Sequence, residues 1–127
     1  MQPEMVGIGP FLPHKATPLG EEPAGDLNLT LATIAIVRLM LPKALLPSTT
    51  ALATLTPRGR LEGILSGANV VMPNLSPSDV RAKYAIYENK ASWGKEAAEG
   101  LEALEQELKS IGYHIDYSRG DFNNLKQ

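Results

Sequence analysis

A chain of 127 residues, 43% of them apolar, holds enough material for one hydrophobic core and too little for two independent ones. Its formal charge of −2 is nearly balanced, and its Lys and Arg residues are scattered, so no basic stripe points to a nucleic acid. Cysteine is absent, which removes disulfides, thiolate metal ligands and cysteine nucleophiles.

From the start of the chain, residues 1–13 carry no basic n-region and no small-residue cleavage site, so they do not read as a secretory signal. The run Met5-Val6-Gly7-Ile8-Gly9 is the first of three short apolar runs that predict strands. A Pro- and Gly-rich loop follows, and Gly25-Asp26 then opens a helix predicted over Asp26–Leu41, limited by Pro42. That helix holds the densest apolar stretch, but Asn28, Thr30, Thr33 and Arg38 interrupt it. It also falls short of the roughly 20 apolar residues that crossing a bilayer needs, so no membrane span and a cytoplasmic location are expected.

The second run, Ala44-Leu45-Leu46-Pro47-Ser48-Thr49, contains a proline that belongs at a strand end or bulge. Thr56-Pro57 sets a cap residue before a proline suited to the first helical position, and Gly67 stands where a left-handed cap would end that helix, predicted over Pro57–Ser66. The third run, Ala68-Asn69-Val70-Val71-Met72, is nearly continuous, as a strand covered on both faces should be. Ser76-Pro77-Ser78-Asp79 then repeats the cap pattern for a helix over Pro77–Ile86.

Ala97, Leu101, Leu104, Leu108 and Ile111 recur at four-then-three spacing in a Glu- and Lys-rich segment closed by Gly112, which predicts an amphipathic surface helix. The alternation Tyr113-His114-Ile115-Asp116-Tyr117 predicts a strand or docked tail. His14 and His114 are the two histidines, and their separation speaks against an autonomous zinc site. Alternating strand and helix patterns point to an α/β fold with a parallel sheet. Three such units cannot close an eight-stranded barrel, which takes roughly 250 residues, so they would need a covering partner or a second copy, or would remain poorly ordered.

Three segments carry a resemblance. They are Met5-Val6-Gly7-Ile8-Gly9-Pro10-Phe11-Leu12-Pro13-His14 with Thr17-Pro18-Leu19; Leu46-Pro47-Ser48-Thr49-Thr50-Ala51-Leu52; and Gly67-Ala68-Asn69-Val70-Val71-Met72-Pro73-Asn74 with Ser76-Pro77, Tyr84 and Tyr87. In this order and spacing the chain resembles the radical S-adenosylmethionine maturases of [FeFe]-hydrogenase, within the biotin synthase-like superfamily. The resemblance implies the C-terminal portion of a (β/α)8 radical S-adenosylmethionine barrel over residues 1–90, with residues 91–127 as a C-terminal helix and tail packed on it.

The same resemblance implies the cofactors. S-adenosylmethionine would be cleaved reductively to a 5′-deoxyadenosyl radical at a [4Fe–4S] cluster bound by a C-x-x-x-C-x-x-C motif, which this chain lacks. The cluster would therefore be held by an N-terminal half. The accessory cysteines that some relatives carry are absent around residues 91–100. Alone, the chain is expected to hold no metal and to be inactive.

Met5, Pro10 and Leu12 match positions that lie against S-adenosylmethionine in the family, and Thr49, Thr50, Met72, Tyr84 and Tyr87 match positions facing a cysteine-derived iron substrate. His14 and Asn74 are second-rank candidates. Without the resemblance, Gly7 and Gly9 read equally as strand glycines, Thr49-Thr50 as strand or turn residues, Met72 as core, and the two tyrosines as a packing face. Arg58 and Arg60 read as a solvated helix start. No general acid–base pair is evident, so no catalytic residue is assigned. Two rivals remain: a biotin synthase or methylornithine synthase-like fragment, and a non-catalytic half-barrel that pairs with itself or with an N-terminal half.

Overall fold

The computed structural model describes residues 2–72 and 97–122, with side chains of the last helix described from Gly100. Within them the chain runs through an edge segment at Met5, helix α1 (Leu27–Met40), strand β1 (Pro47–Ser48), helices α2 (Thr50–Leu55) and α3 (Gly59–Leu65), strand β2 (Val70–Val71) and helix α4 (Ala97–Ser110). The helix expected over Pro77–Ile86, together with Asn74, Tyr84 and Tyr87, lies outside the described residues.

The three apolar runs lie side by side and parallel, in chain order. Met5 pairs with Leu45 through Val6 N–H to Leu45 O at 2.9 Å and Leu45 N–H to Glu4 O at 2.8 Å. β1 pairs with β2 in the register Pro47–Val70 and Ser48–Val71. The strands are shorter than the apolar runs, but parallel neighbours joined through helices are the arrangement their alternation predicts. This is a small parallel α/β sheet, compatible with part of a radical S-adenosylmethionine domain. Pro47 stands first in its strand, a place where the missing amide donor is tolerated.

Asp26 caps α1 by accepting from Leu29 N at 2.7 Å, as the Gly25-Asp26 pair predicts. The helix ends one residue before Leu41, which Pro42 keeps out of the helical region. Arg38, in its last turn, ties that end to the sheet. Its Nε donates to Gly67 O at 2.8 Å, and one terminal nitrogen donates to Pro42 O at 2.9 Å and Ala44 O at 2.8 Å. Burial of the guanidinium lowers its pKa from the ordinary arginine value.

The segment after β1 departs from expectation. Thr49 occupies the position before, and Thr50 begins, a separate six-residue helix, α2, and the next helix starts at Gly59 instead of Pro57. Thr56 spends its hydroxyl on Arg58 N at 3.2 Å, closing a turn between the two helices. Both glycine stops hold. At Gly67, φ 115, the Ala68 N–H donates to Gly63 O and the Gly67 N–H to Ile64 O, and Gly112 at φ 82 closes α4 in the same way.

The core comprises Ile34, Ala44, Leu46, Leu52, Leu61, Ile64 and Ala68, joined by Leu104 and Leu108 of α4. Among the described residues of Tyr113–Tyr117 there is no strand, and Ile115 packs against the core. No helix among the described residues is long and apolar enough to cross a membrane.

Candidate functional site

The sheet has two unlike faces. Val6, Ile8, Leu46 and Val71 belong to the core side, and Ser48, 1% exposed, points the same way, toward α3. Of the residues of opposite parity, Met5, Gly7, Gly9 and Met72 are exposed, whereas Pro47 in the central strand is buried and Leu45, Thr49 and Val70 are half-buried. Carrying each register forward by whole residues sets Gly9 beside Thr49 and Thr49 beside Met72, one rung past the ends of the paired strands.

Geometry at this rung is tight. Thr49 Oγ1 lies 3.0 Å from where a Cβ on Gly9 would stand, so the absence of a side chain at Gly9 is what admits the hydroxyl. The hydroxyl caps nothing in α2, and Oγ1 is buried with no hydrogen-bond partner. A buried hydroxyl without a partner costs free energy, and a ligand polar atom would satisfy it. Thr50 follows, half-buried, as the first residue of α2.

Pro10 leads from Gly9 into a loop closed at its neck. Gly25 N–H donates to Phe11 O at 2.8 Å, and a Cβ on Gly25 would meet Phe11 N at 2.8 Å, so the two strands of the neck touch backbone to backbone. Pro10, Leu12 and His14 are each half-buried. His14 Nδ1 accepts from Ala16 N at 3.1 Å, which leaves Nε2 as the ring's other hydrogen-bonding position.

The structure thus brings together Gly9, Pro10, Thr49, Thr50 and Met72 at the C-terminal tips of the parallel strands, where ligand sites of α/β folds form. Met5 is not among them. It pairs with Leu45, four residues behind the Gly9–Thr49 level, about 13 Å back along the strand. A cavity of about 390 Å³ lined by Arg38, Lys43, Asn69 and Tyr113 lies at the strands' other end. Asn69 there is already engaged, accepting from Leu46 N at 2.8 Å.

Some site-shaping residues carried little signal in the sequence. Ser48, between Pro47 and Thr49, donates its hydroxyl to Arg60 O at 2.8 Å. Gly59 and Gly63 let α3 lie against Ser48 and Leu52, and their four-residue spacing is the one feature that could have disclosed them. Arg60 is half-buried with Nε enclosed and unpartnered, so it is not the wholly solvated residue the sequence suggests.

The donor set does not fit an iron–sulfur cluster. The chain has no cysteine, and no group of three His, Cys, Asp or Glu side chains among the described residues is arranged to hold a metal. It does fit the uncharged part of a ligand wall: an unpartnered hydroxyl, a proline ring and a methionine at the strand tips.

No family model matches the chain. It is 49% identical over 87 residues to the [FeFe] hydrogenase maturase subunit HydE of Thermotoga maritima, a match covering 68% of this chain and 25% of that protein. It is 34% identical over 110 residues to the 3-methylornithine synthase of Methanosarcina acetivorans, covering 86% of this chain and 28% of that one. The 3-methylornithine synthase of Methanosarcina barkeri matches the same length at 31% identity. The chain spans about a quarter of the length of these relatives. With three parallel strand tips in chain order and half the residues identical across two thirds of its length, the chain belongs to the radical S-adenosylmethionine family, as a HydE-type sequence.

Proposed function

We propose that this chain supplies part of the barrel wall of a radical S-adenosylmethionine enzyme of hydrogenase H-cluster assembly, with the [4Fe–4S] cluster held by a different stretch of polypeptide. The observation that carries this reading is the rung Gly9–Thr49–Met72, which leaves a buried, unpartnered hydroxyl at the C-terminal tips of parallel strands.

In this reading the nucleoside of S-adenosylmethionine lies against Pro10 and Leu12, where a ring and a branched side chain suit an adenine face. Met5, deeper in the sheet, contributes apolar wall. S-adenosylmethionine, when bound beside a reduced cluster, supplies a carbon-centred radical. Thr49 and Thr50 hold the carboxylate of a cysteine-derived iron substrate by neutral hydrogen bonds, and Met72 closes the rung with an apolar side chain that helps exclude water. His14, whose Nδ1 is engaged, has Nε2–H to offer to a ligand. Asn74, Tyr84 and Tyr87 complete the substrate side. An N-terminal half-barrel covers the open face in the working enzyme.

A 3-methylornithine synthase-like role is the second reading, favoured by the longer stretch matched, 110 residues against 87. Both readings give the threonines an amino-acid carboxylate.

Complementation tests the proposal. The chain alone, given iron, sulfide and S-adenosylmethionine, should develop no cluster absorbance and no 5′-deoxyadenosine, since it has no thiolate. Supplied together with the cluster-binding remainder of the Thermotoga HydE, it should restore hydrogenase maturation. Turnover by the chain alone, or failure of a stable assembled pair to mature hydrogenase, refutes the reading.

A further inference from the structure

We infer that Ser48 is a positioning residue for the Thr49 and Thr50 hydroxyls, held in place by the side-chain-free surface of α3 at Gly63. The inference rests on the proposed carboxylate-anchoring role of those threonines.

Ser48 is the last residue of β1 and is 1% exposed, immediately before the site. Its hydroxyl donates to Arg60 O, a backbone carbonyl in the first turn of α3, at 2.8 Å. The helix comes this near because Gly63 has no side chain. A Cβ there would stand 2.5 Å from Ser48 Oγ and 2.9 Å from Leu52 Cδ1. Gly59, one turn earlier, lies so close to Leu52 O of α2 that a Cβ would overlap it.

Two contacts of different kinds therefore fix the strand tip. The Ser48–Arg60 hydrogen bond ties β1 to α3, and the glycine contacts seat α2 on α3. Thr49 is the residue between β1 and α2, and Thr50 is the first residue of α2, so their backbone positions are set from both sides. Thr49 also faces Gly9 at van der Waals limit, which leaves the hydroxyl little freedom to recover if the tip moves. Side-chain hydrogen bonds that lock a strand end are what hold a binding group within the few tenths of an ångström its ligand needs.

The test uses the 127-residue chain and two probes, L-cysteine and S-adenosylmethionine, each titrated by NMR. L-cysteine is followed at the Thr49 and Thr50 amides, and S-adenosylmethionine at the Leu12 methyls. Ser48→Ala should raise the dissociation constant of L-cysteine about tenfold and leave that of S-adenosylmethionine within about twofold. Ser48→Cys, which keeps a weak donor, should fall between. Gly63→Ala, pressing on the same hydroxyl from α3, should reproduce the selective loss. Equal weakening of both probes by Ser48→Ala makes Ser48 a stabilising residue only and overturns the inference. Unchanged L-cysteine binding in a folded Ser48→Ala chain overturns it as well, while loss in Thr49→Val then shows that the anchoring role itself stands. Absence of saturable L-cysteine binding to the unsubstituted chain overturns the anchoring role and the inference together.

Discussion

Thr49 presents its hydroxyl 3.0 Å from the position a Cβ on Gly9 would take, so two loops 40 residues apart in sequence share one small space at the strand tips. Gly9→Ala should push that hydroxyl aside by a few tenths of an ångström. Replacing a strand glycine gains about 0.5–1 kcal/mol by itself, so global stability should change little. Binding of L-cysteine at the Thr49 amide should nevertheless fall about tenfold. Denaturant unfolding and an NMR titration on the same variant check both halves, and undiminished binding would count against the rung as a ligand site.

Arg38 holds the other end of the sheet. Its side chain donates to the carbonyls of Pro42, Ala44 and Gly67, and those of Pro42 and Ala44 lie just beyond the end of α1. Arg38→Met keeps the bulk of the stem and removes every donor. The expected loss is about 3 kcal/mol, read from urea unfolding, since part-buried carbonyls lose charge-assisted bonds. The site at the strands' far tips should keep its Thr49 and Thr50 amide shifts.

Gly67 and Gly112 both end helices in the left-handed region, yet they should not tolerate alanine equally. Gly112, at φ 82, has nothing within 4 Å of an added Cβ, so Gly112→Ala should cost about 1 kcal/mol of backbone strain alone. Gly67, at φ 115, would carry a Cβ only 2.8 Å from Arg38 Cβ. Gly67→Ala should therefore cost at least twice as much, and matched melting curves of the two variants decide it.

How far the sequence discloses this arrangement varies with the kind of signal. The parallel runs, the Asp26 cap and the glycine stops at Gly67 and Gly112 are local, and each is visible because a short-range rule of chain geometry fixes it. The helix α2 is not legible in the sequence because Thr49-Thr50-Ala51-Leu52 has no cap-and-proline pattern. What makes it helical is Leu52, fully buried against α3, with Gly59 beneath it. Thr49 and Thr50 stood out through family resemblance, whereas their support by Ser48 and Gly63 depends on a packing distance between segments 15 residues apart. Such a distance leaves no periodic trace.

Asp116 provides a test of sign. The backbone N–H of Ser118 donates to its carboxylate at 2.8 Å, and this bond, then the Ser118 side chain and, more weakly, His114, hold the Asp116 pKa below the usual carboxylate range. A carboxyl whose folded pKa is depressed adds stability above its unfolded pKa and loses it as pH falls through the folded one. The Asp116 carboxyl carbon should accordingly titrate below an unstructured aspartate, and Ser118→Pro, which removes the backbone donor, should raise its midpoint. A midpoint already at the ordinary value in the unsubstituted chain would contradict the turn.

α1 is apolar on both sides. Thr30 and Ile34 face the core, while Leu29, Ile36, Leu39 and Met40 are 69%, 56%, 82% and 73% exposed along the opposite side. A helix apolar all round is normally enclosed, and each such side chain gains roughly 1.5–3 kcal/mol when covered. The edge of the sheet at Met5 is also unpaired on its outer side among the described residues, which adds a row of free backbone groups. The chain by itself should thus self-associate at micromolar concentration, as read by sedimentation equilibrium. Ile36→Glu with Leu39→Glu should shift it toward monomer without lowering its melting temperature, because neither residue supports the core. A unsubstituted chain that sediments as a monomer, unfolds cooperatively and shows no change with these substitutions would mean that the α1 face needs no cover, and the wall would then be a self-sufficient fold.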